Sequence, residues 1–410
     1  MLADTPAFRS EPGRRYGGST LESASDVRQL VATLLEFRGG DGFPPVWQAN
    51  TIVAAPDYPK LLPPTFVADP LPLQEPDAAS ARWRRPGLRE AVDDVCRSGL
   101  WWPELHGLHH LPEHAWLTAL RRGSADARRA HDQGSPICEA VEASGEYDPS
   151  EPQPTRRRNL ELAIERFRMR FGRAPTSFCP PDYRWGPSLE LDLEQLGPTT
   201  LQGFAEHAGE RLPRVRRLLL RYRWPNRRGA MFYLPPRNAF EPSKAEARGM
   251  AALVRTARES ARAAWGRGQP AIISTHRLNY AHLRPAHSAA GLAALRDLLK
   301  GLVEDGAVFL VDAEVRQLEE RAWSVRAVGD RAAIVRFHGV PRQPIRFPVP
   351  AGVTGARIRE GHATGEADVA VDRGEVVARL NVGEFLLGWE RGFEREGASA
   401  LAAPQSAVDS

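Results

Sequence analysis

A chain of 410 residues with 42% hydrophobic residues can bury a large core, as one big domain plus an appendage or as two domains. Fifty-five basic against 51 acidic residues give a net charge of +4, too mild at this length to call for nucleic acid. Three cysteines, Cys96, Cys138 and Cys179, form neither a close-spaced metal motif nor an even disulfide set, and no apolar run reaches membrane-spanning or signal length. These features predict a cytoplasmic protein without membrane insertion.

In chain order, residues 1–20 read as irregular. Val27, Leu30, Val31, Leu34 and Leu35 share one helical face, ahead of a stop at Gly39-Gly40. A strand over Val46 to Ala55 runs into Asp57, and a proline-rich excursion follows from Leu61 to Pro86. A helix to Ser98 feeds a strand over Gly99 to Leu105, after which Pro112-Glu113 opens another helix. Gly123 to Pro154 is polar and without clear period. Leu160, Ala163, Ile164, Phe167 and Phe171 then mark a helix stopped by Gly172. Further strands are predicted over Ser177 to Pro180, Thr199 to Gly203, Met231 to Pro235, Ala271 to Ser274 and Val308 to Val311. Helices alternate with them: Pro187 to Leu196, a long one capped by Ser243 and Glu246 and running to Trp265, then Ser288 to Leu302 and Ala313 to Glu319.

This alternation implies parallel strands with helices outside, a (β/α) barrel of six or seven strands over residues 1–322. Beyond Ala322 helical periodicity gives way to short strand-like runs between Gly, Pro and Asp, read as a small all-β domain over 323–391; 392–410 reads as a disordered tail. The arginine-rich Arg211 to Arg228, with Tyr222 and Trp224, reads as a solvated surface or an anionic-sugar site rather than a nucleic-acid site.

Four of the eleven histidines cluster at the end of the Gly99 to Leu105 strand. His106 and His110, four residues apart, could aim two imidazoles at one borderline metal such as zinc, or could be a packed aromatic and histidine cluster. Other strand ends offer Asp57, then Asp182 with Tyr183 and Trp185, and later His276 with Arg277 and Asn279.

His106-Gly107-Leu108-His109-His110, Arg237-Asn238-Ala239-Phe240-Glu241-Pro242-Ser243 and Ile273-Ser274-Thr275-His276-Arg277-Leu278-Asn279, with Pro56-Asp57, resemble the polysaccharide deacetylase superfamily of NodB-homology barrels over roughly Val46 to Val311. The resemblance implies a metal-dependent hydrolase that removes acetyl groups from a polysaccharide or glycan. His106, His110 and Asp57 would hold a divalent ion, zinc foremost. Asp57 and Asp182 would supply the base, His276 the general acid, and Trp102, Tyr183, Trp185, Arg237, Asn238, Glu241, Arg277 and Asn279 the substrate contacts. The family's opening strand with an adjacent aspartate pair has no counterpart; Asp93-Asp94 lies inside a predicted helix, so the barrel is incomplete if that strand is lost. Two alternatives stay open: a glycoside hydrolase using carboxylates among Asp57, Glu104, Asp182 and Glu241, and a carbohydrate-binding protein without catalysis.

Overall fold

The structure is a computed structural model that describes residues 20–67, 69–76, 84–203, 207–208, 213–247, 249–329, 332–337, 345–349, 353, 355–360, 367–378 and 384–389. The expected irregular N-terminus and the 392–410 tail lie outside the described residues.

The chain opens with α1 (Ala24–Leu35), β1 (Trp47–Thr51), β2 (Ala55–Pro56) and β3 (Leu73–Gln74). Next come α2 (Leu88–Arg97), β4 (Trp101–Leu105), α3 (Glu113–Arg121), α4 (Ala125–Asp132), α5 (Glu139–Glu142) and α6 (Gln153–Phe171). They lead to β5 (Ser177–Phe178), α7 (Pro187–Leu196), β6 (Thr200–Leu201), α8 (Arg214–Tyr222), β7 (Asn226–Arg228) and β8 (Met231–Tyr233). Then follow β9 (Asn238–Ala239), α9 (Met250–Trp265), β10 (Ile273–Ser274), α10 (Pro285–Glu304) and α11 (Asp312–Arg321). The last strands are β11 (Trp323–Val328), β12 (Ala332–Phe337), β13 (Ile345–Pro348), β14 (Ala356–Glu360), β15 (Ala367–Asp372), β16 (Glu375–Ala378) and β17 (Glu384–Trp389).

The class is mixed α/β. The chain divides into two compact units: residues 1–23, 49–86 and 103–291, and residues 24–48, 87–102 and 292–410. The central six-stranded sheet has the order β1-β4-β5-β6-β8-β7; β4, β5, β6 and β8 are mutually parallel, and β7 closes back on β8 as an antiparallel hairpin. Each parallel strand in the first unit donates a buried apolar residue: Leu105, Phe178, Leu201 and Tyr233. Against them packs the stripe that periodicity marked on α6, Leu160, Ala163, Ile164 and Phe167, with Leu189 and Leu193 of α7. Burying each leucine, isoleucine or phenylalanine among them contributes about 1.5–3 kcal/mol. Pro187 starts α7 where its missing N–H costs nothing, and Gly172, at φ 67°, ends α6. A second core gathers Leu61, Phe66 and Leu71 of the proline-rich excursion onto Leu111, Trp116 and Leu120.

In the second unit β11 to β17 form an antiparallel sheet of order β11-β12-β17-β14-β15-β16-β13. Strand period two splits β12: Ala333, Val335 and Phe337 join Ile358 and Val376, whereas Ile334 packs on Phe43 and Val328. Arg336, on the Ile334 side, is buried, pairing with Asp41 at 2.7 Å and with Glu314, which also holds Arg326 at 3.0 Å.

Three local readings differ from the structure. Val308 to Val311 is not a strand; the Val311 N–H is held by the Glu314 carboxylate at 3.1 Å as α11 begins. Trp323–Val328, not anticipated, is β11. The long helix does not begin at Ser243: residues 242–247 form a 3-10 segment, and α9 starts at Met250 behind Gly249 at φ 76°. Asn279 takes the Ser243 N–H at 2.8 Å, and the Ser243 hydroxyl, meant as the cap, has no hydrogen-bond partner.

Candidate functional site

In a parallel sheet the residue after each strand donates its N–H to the last carbonyl of the neighbour. Thr51 thus accepts from His106 at 2.9 Å, Leu105 from Cys179 at 2.9 Å, Phe178 from Gln202 at 3.0 Å and Leu201 from Leu234 at 2.9 Å. This staircase carries His106, Cys179 and Gln202 to the carboxyl edge of the sheet, the edge where α/β sheets bind ligands. Gln202 exchanges two hydrogen bonds with Asn50, at 2.7 and 2.8 Å.

The His106–His110 loop is shaped by one buried carboxylate. Glu146 accepts the N–H groups of Leu108 at 3.0 Å, His109 at 3.4 Å and His110 at 2.8 Å. Gly107 sits at φ 97°, where a side chain is strained, and a Cβ there would lie 2.5 Å from a Glu146 oxygen and push the carboxylate out of place. His110 itself is left-handed at φ 58°. The His106 Nδ1–H donates to the Cys179 carbonyl at 2.7 Å, leaving the Nε2 lone pair of the neutral ring as acceptor. The rings of His106 and His110 lie 5.0 Å apart, edge to face.

Burial lowers the pKa of both imidazoles. For His106 the Cys179 carbonyl and the charges of Glu146 and Asp182 oppose burial, and Arg237 reinforces it. For His110 the neighbouring His106 adds to burial, while Asp182 and Glu146 oppose. Both rings are therefore neutral at pH 7, the state in which imidazole binds a metal or accepts a proton. His109 has a different role. It is buried, its Nδ1 accepts the Leu111 N–H at 3.2 Å, and its Nε2 lies 3.6 Å from Glu113.

Asp182 and Tyr183 follow β5 in a 3-10 turn and are both left-handed, at φ 55° and 54°. Such non-glycine conformations cost about 1 kcal/mol or more each. The turn places Tyr183 under the Arg237 guanidinium, 3.8 Å from the ring centroid, with the Cys179 thiol 3.5 Å from its hydroxyl. Burial pushes the Tyr183 pKa up. Trp185 is in the core, its indole N–H donating to Glu190 at 3.0 Å, so it offers no open stacking face. Trp102 is half-buried on β4.

The two longest motifs interlock. β9 and β10 are parallel, with Asn238 opposite Ile273 and Ala239 opposite Ser274. Beyond them Glu241 meets His276 Nδ1, while its other oxygen accepts from Asn279 Nδ2 at 2.9 Å. Burial alone would raise the Glu241 pKa, but the hydrogen bonds from His276 and Asn279 and the charges of His276 and Lys244 hold it below the ordinary value. His276 is 40% exposed, so the dyad presents an accessible imidazole on a buried carboxylate. A cleft of about 240 Å³ lined by Ser243, Gly249, Met250, His287 and Gly291 adjoins this segment.

The structure thus brings His106, His110, Asp182, Tyr183 and Arg237 together, and separately couples Glu241, His276 and Asn279. Asp57 instead pairs with Lys60 at 2.8 Å, and Arg277 with Glu22 at 3.4 Å. The partner of the His106 ring is the Cys179 carbonyl, and Glu104, a candidate glycosidase carboxylate, is buried against Thr176, Ser177 and Arg173. Glu146 and Cys179 were not anticipated: Glu146 lies far along the chain from the loop it holds, and Cys179 acts through its carbonyl, which every residue has. Among the described residues no group of three His, Cys, Asp or Glu side chains is arranged to hold a metal. No helix among them is long and apolar enough to cross a membrane. A scan of protein-family models and a search of curated proteins both find no match to the chain.

Proposed function

We propose that the chain is a metal-dependent hydrolase that removes acetyl groups from a polysaccharide or glycan, built on a deacetylase-type (β/α) barrel. The observation that carries this reading is the His106 ring, tethered through Nδ1 to a backbone carbonyl beside His110. Metal-ligating histidines are held in that way, since the tether fixes the tautomer and turns Nε2 outward. The parallel β4-β5-β6-β8 order supports the barrel.

The donors fit a borderline divalent ion such as zinc in their chemistry: two neutral imidazoles would hold it, and Asp182, whose charge acts on both rings, is assigned the base rather than a third ligand. Asp57, expected as a ligand, pairs with the exposed Lys60. When bound, such an ion polarises the acetyl carbonyl and lowers the pKa of a water. Asp182 accepts the proton of the attacking water. Arg237 and Tyr183 orient the sugar. His276 protonates the leaving amine or alcohol, with Glu241 fixing its tautomer and stabilising the imidazolium, and Asn279 holding Glu241 in place.

A glycosidase would need two available carboxylates; Glu104 is spent on structural hydrogen bonds and Glu241 on His276, which favours the acyl reading. Acetate release from N-acetylated and O-acetylated oligosaccharides, with zinc, cobalt or nickel supplied, tests the proposal. Wild type should release acetate, and His276→Gln should lower the rate about 10²-fold or more. No release by folded wild type on either substrate class would overturn it.

A further inference from the structure

The helix α8 carries an apolar stripe that faces water. Val215, Leu218, Leu219 and Tyr222 are 69%, 43%, 66% and 47% exposed. Their spacing of three and four residues puts them on one face of the helix. At 100° per residue Arg214 falls on one flank of that stripe, and Arg216 and Arg223 on the other; all three are exposed. Leu220, on the far side, is half-buried and seats the helix. A hydrogen bond from Gln269 Nε2 to the Tyr222 carbonyl at 2.9 Å holds the C-terminal end. No Asp or Glu occurs from Arg211 to Phe240.

We propose that α8 is a peripheral docking helix for an anionic lipid surface. An acidic bilayer supplies both complements at once, an apolar layer for Val215, Leu218 and Leu219 and negative headgroups for the flanking arginines, with Tyr222 at the boundary. Nucleic acid would use the arginines and leave the leucine stripe in water. A second copy of the helix would cover the stripe but oppose arginine with arginine. The helix lies on the membrane and does not cross it.

The test is co-sedimentation of the full chain with phosphatidylcholine vesicles, with and without phosphatidylglycerol. Binding should be at least about tenfold stronger on the anionic vesicles and weaken at high salt. Leu218→Ser with Leu219→Ser should lower it about tenfold or more, as should Arg214→Gln with Arg216→Gln and Arg223→Gln. These side chains are exposed, so both variants should unfold at the wild-type temperature. Lack of wild-type binding to anionic vesicles, or binding unchanged in the leucine variant, overturns the proposal. So does tight binding to single-stranded DNA, equal in wild type and the leucine variant, without vesicle binding.

Discussion

Glu241 stands opposite His276 because β9 and β10 run parallel in a register that, continued past their ends, aligns the two residues. The pair is thus a product of strand pairing, and Asn279, one 3-10 turn later, returns to hold the second carboxylate oxygen. Glu241→Gln should keep the shape while removing the charge. We expect a loss of about 1.5–3 kcal/mol at neutral pH, measured by urea unfolding. The Glu241 pKa is depressed on folding, so its contribution is complete above the unfolded value near 4.5 and disappears as pH falls through the folded one. Wild type and variant should converge in acid; a gap that widens below pH 4 would contradict the assignment.

Glu113 gives a second pH signature. Burial would raise its pKa, but His109 and Arg158 together hold it at about 2, from 4.5. A depression of that size corresponds to about 3 kcal/mol, present above pH 4.5 and lost as pH approaches 2. Glu113→Gln should show this difference at pH 7 and none near pH 2, by chemical denaturation across that range. Because His109 packs the loop from inside, the variant should also loosen the neighbouring amides, seen as faster hydrogen exchange at Leu111.

Arg336, Glu314, Asp41 and Arg326 are buried together, and removing one member strands the others without solvent. Arg336→Met or Glu314→Gln should each cost about 3–5 kcal/mol in thermal or denaturant unfolding. The same network ties β11 and β12 to α11 and to the segment after α1. Residues 323–391 expressed alone should therefore fail to fold, showing no cooperative transition by circular dichroism. A cooperative, stable fragment would show that the strands need none of these partners.

Gly291 lies where α10 crosses the Asn279 carbonyl: an added Cβ would come within 1.9 Å of that oxygen. Gly291→Ala should destabilise by about 3 kcal/mol through forced separation. Because the displaced segment carries Asn279, catalytic turnover should fall further than the loss of folded protein explains, which active-site titration would separate.

Local signals carried the regular elements well where the punctuation was local. Pro187 and Gly197 bracket α7 at the residues read from the sequence, and the apolar stripe on α6 is the one that meets the sheet. Errors came where a distant group decided. Ser243 looks like a helix cap, yet Asn279 claims its N–H and the helix starts later. The His106 to His110 spacing was visible, but the carboxylate that shapes the loop, Glu146, sits in a polar stretch without period. The resemblance makes Trp185 a substrate contact, but its N–H bond to buried Glu190 turns it inward.

The central claim is that His106 and His110 present their imidazoles to one divalent ion. The direct measurement is metal content of the purified full chain by elemental analysis, after incubation with zinc, cobalt or nickel and removal of free ion. Wild type should retain about one ion per chain, and the His106→Ala, His110→Ala double variant should retain almost none while remaining folded. Wild type without bound ion after supplementation, or equal content in the double variant, would contradict the claim.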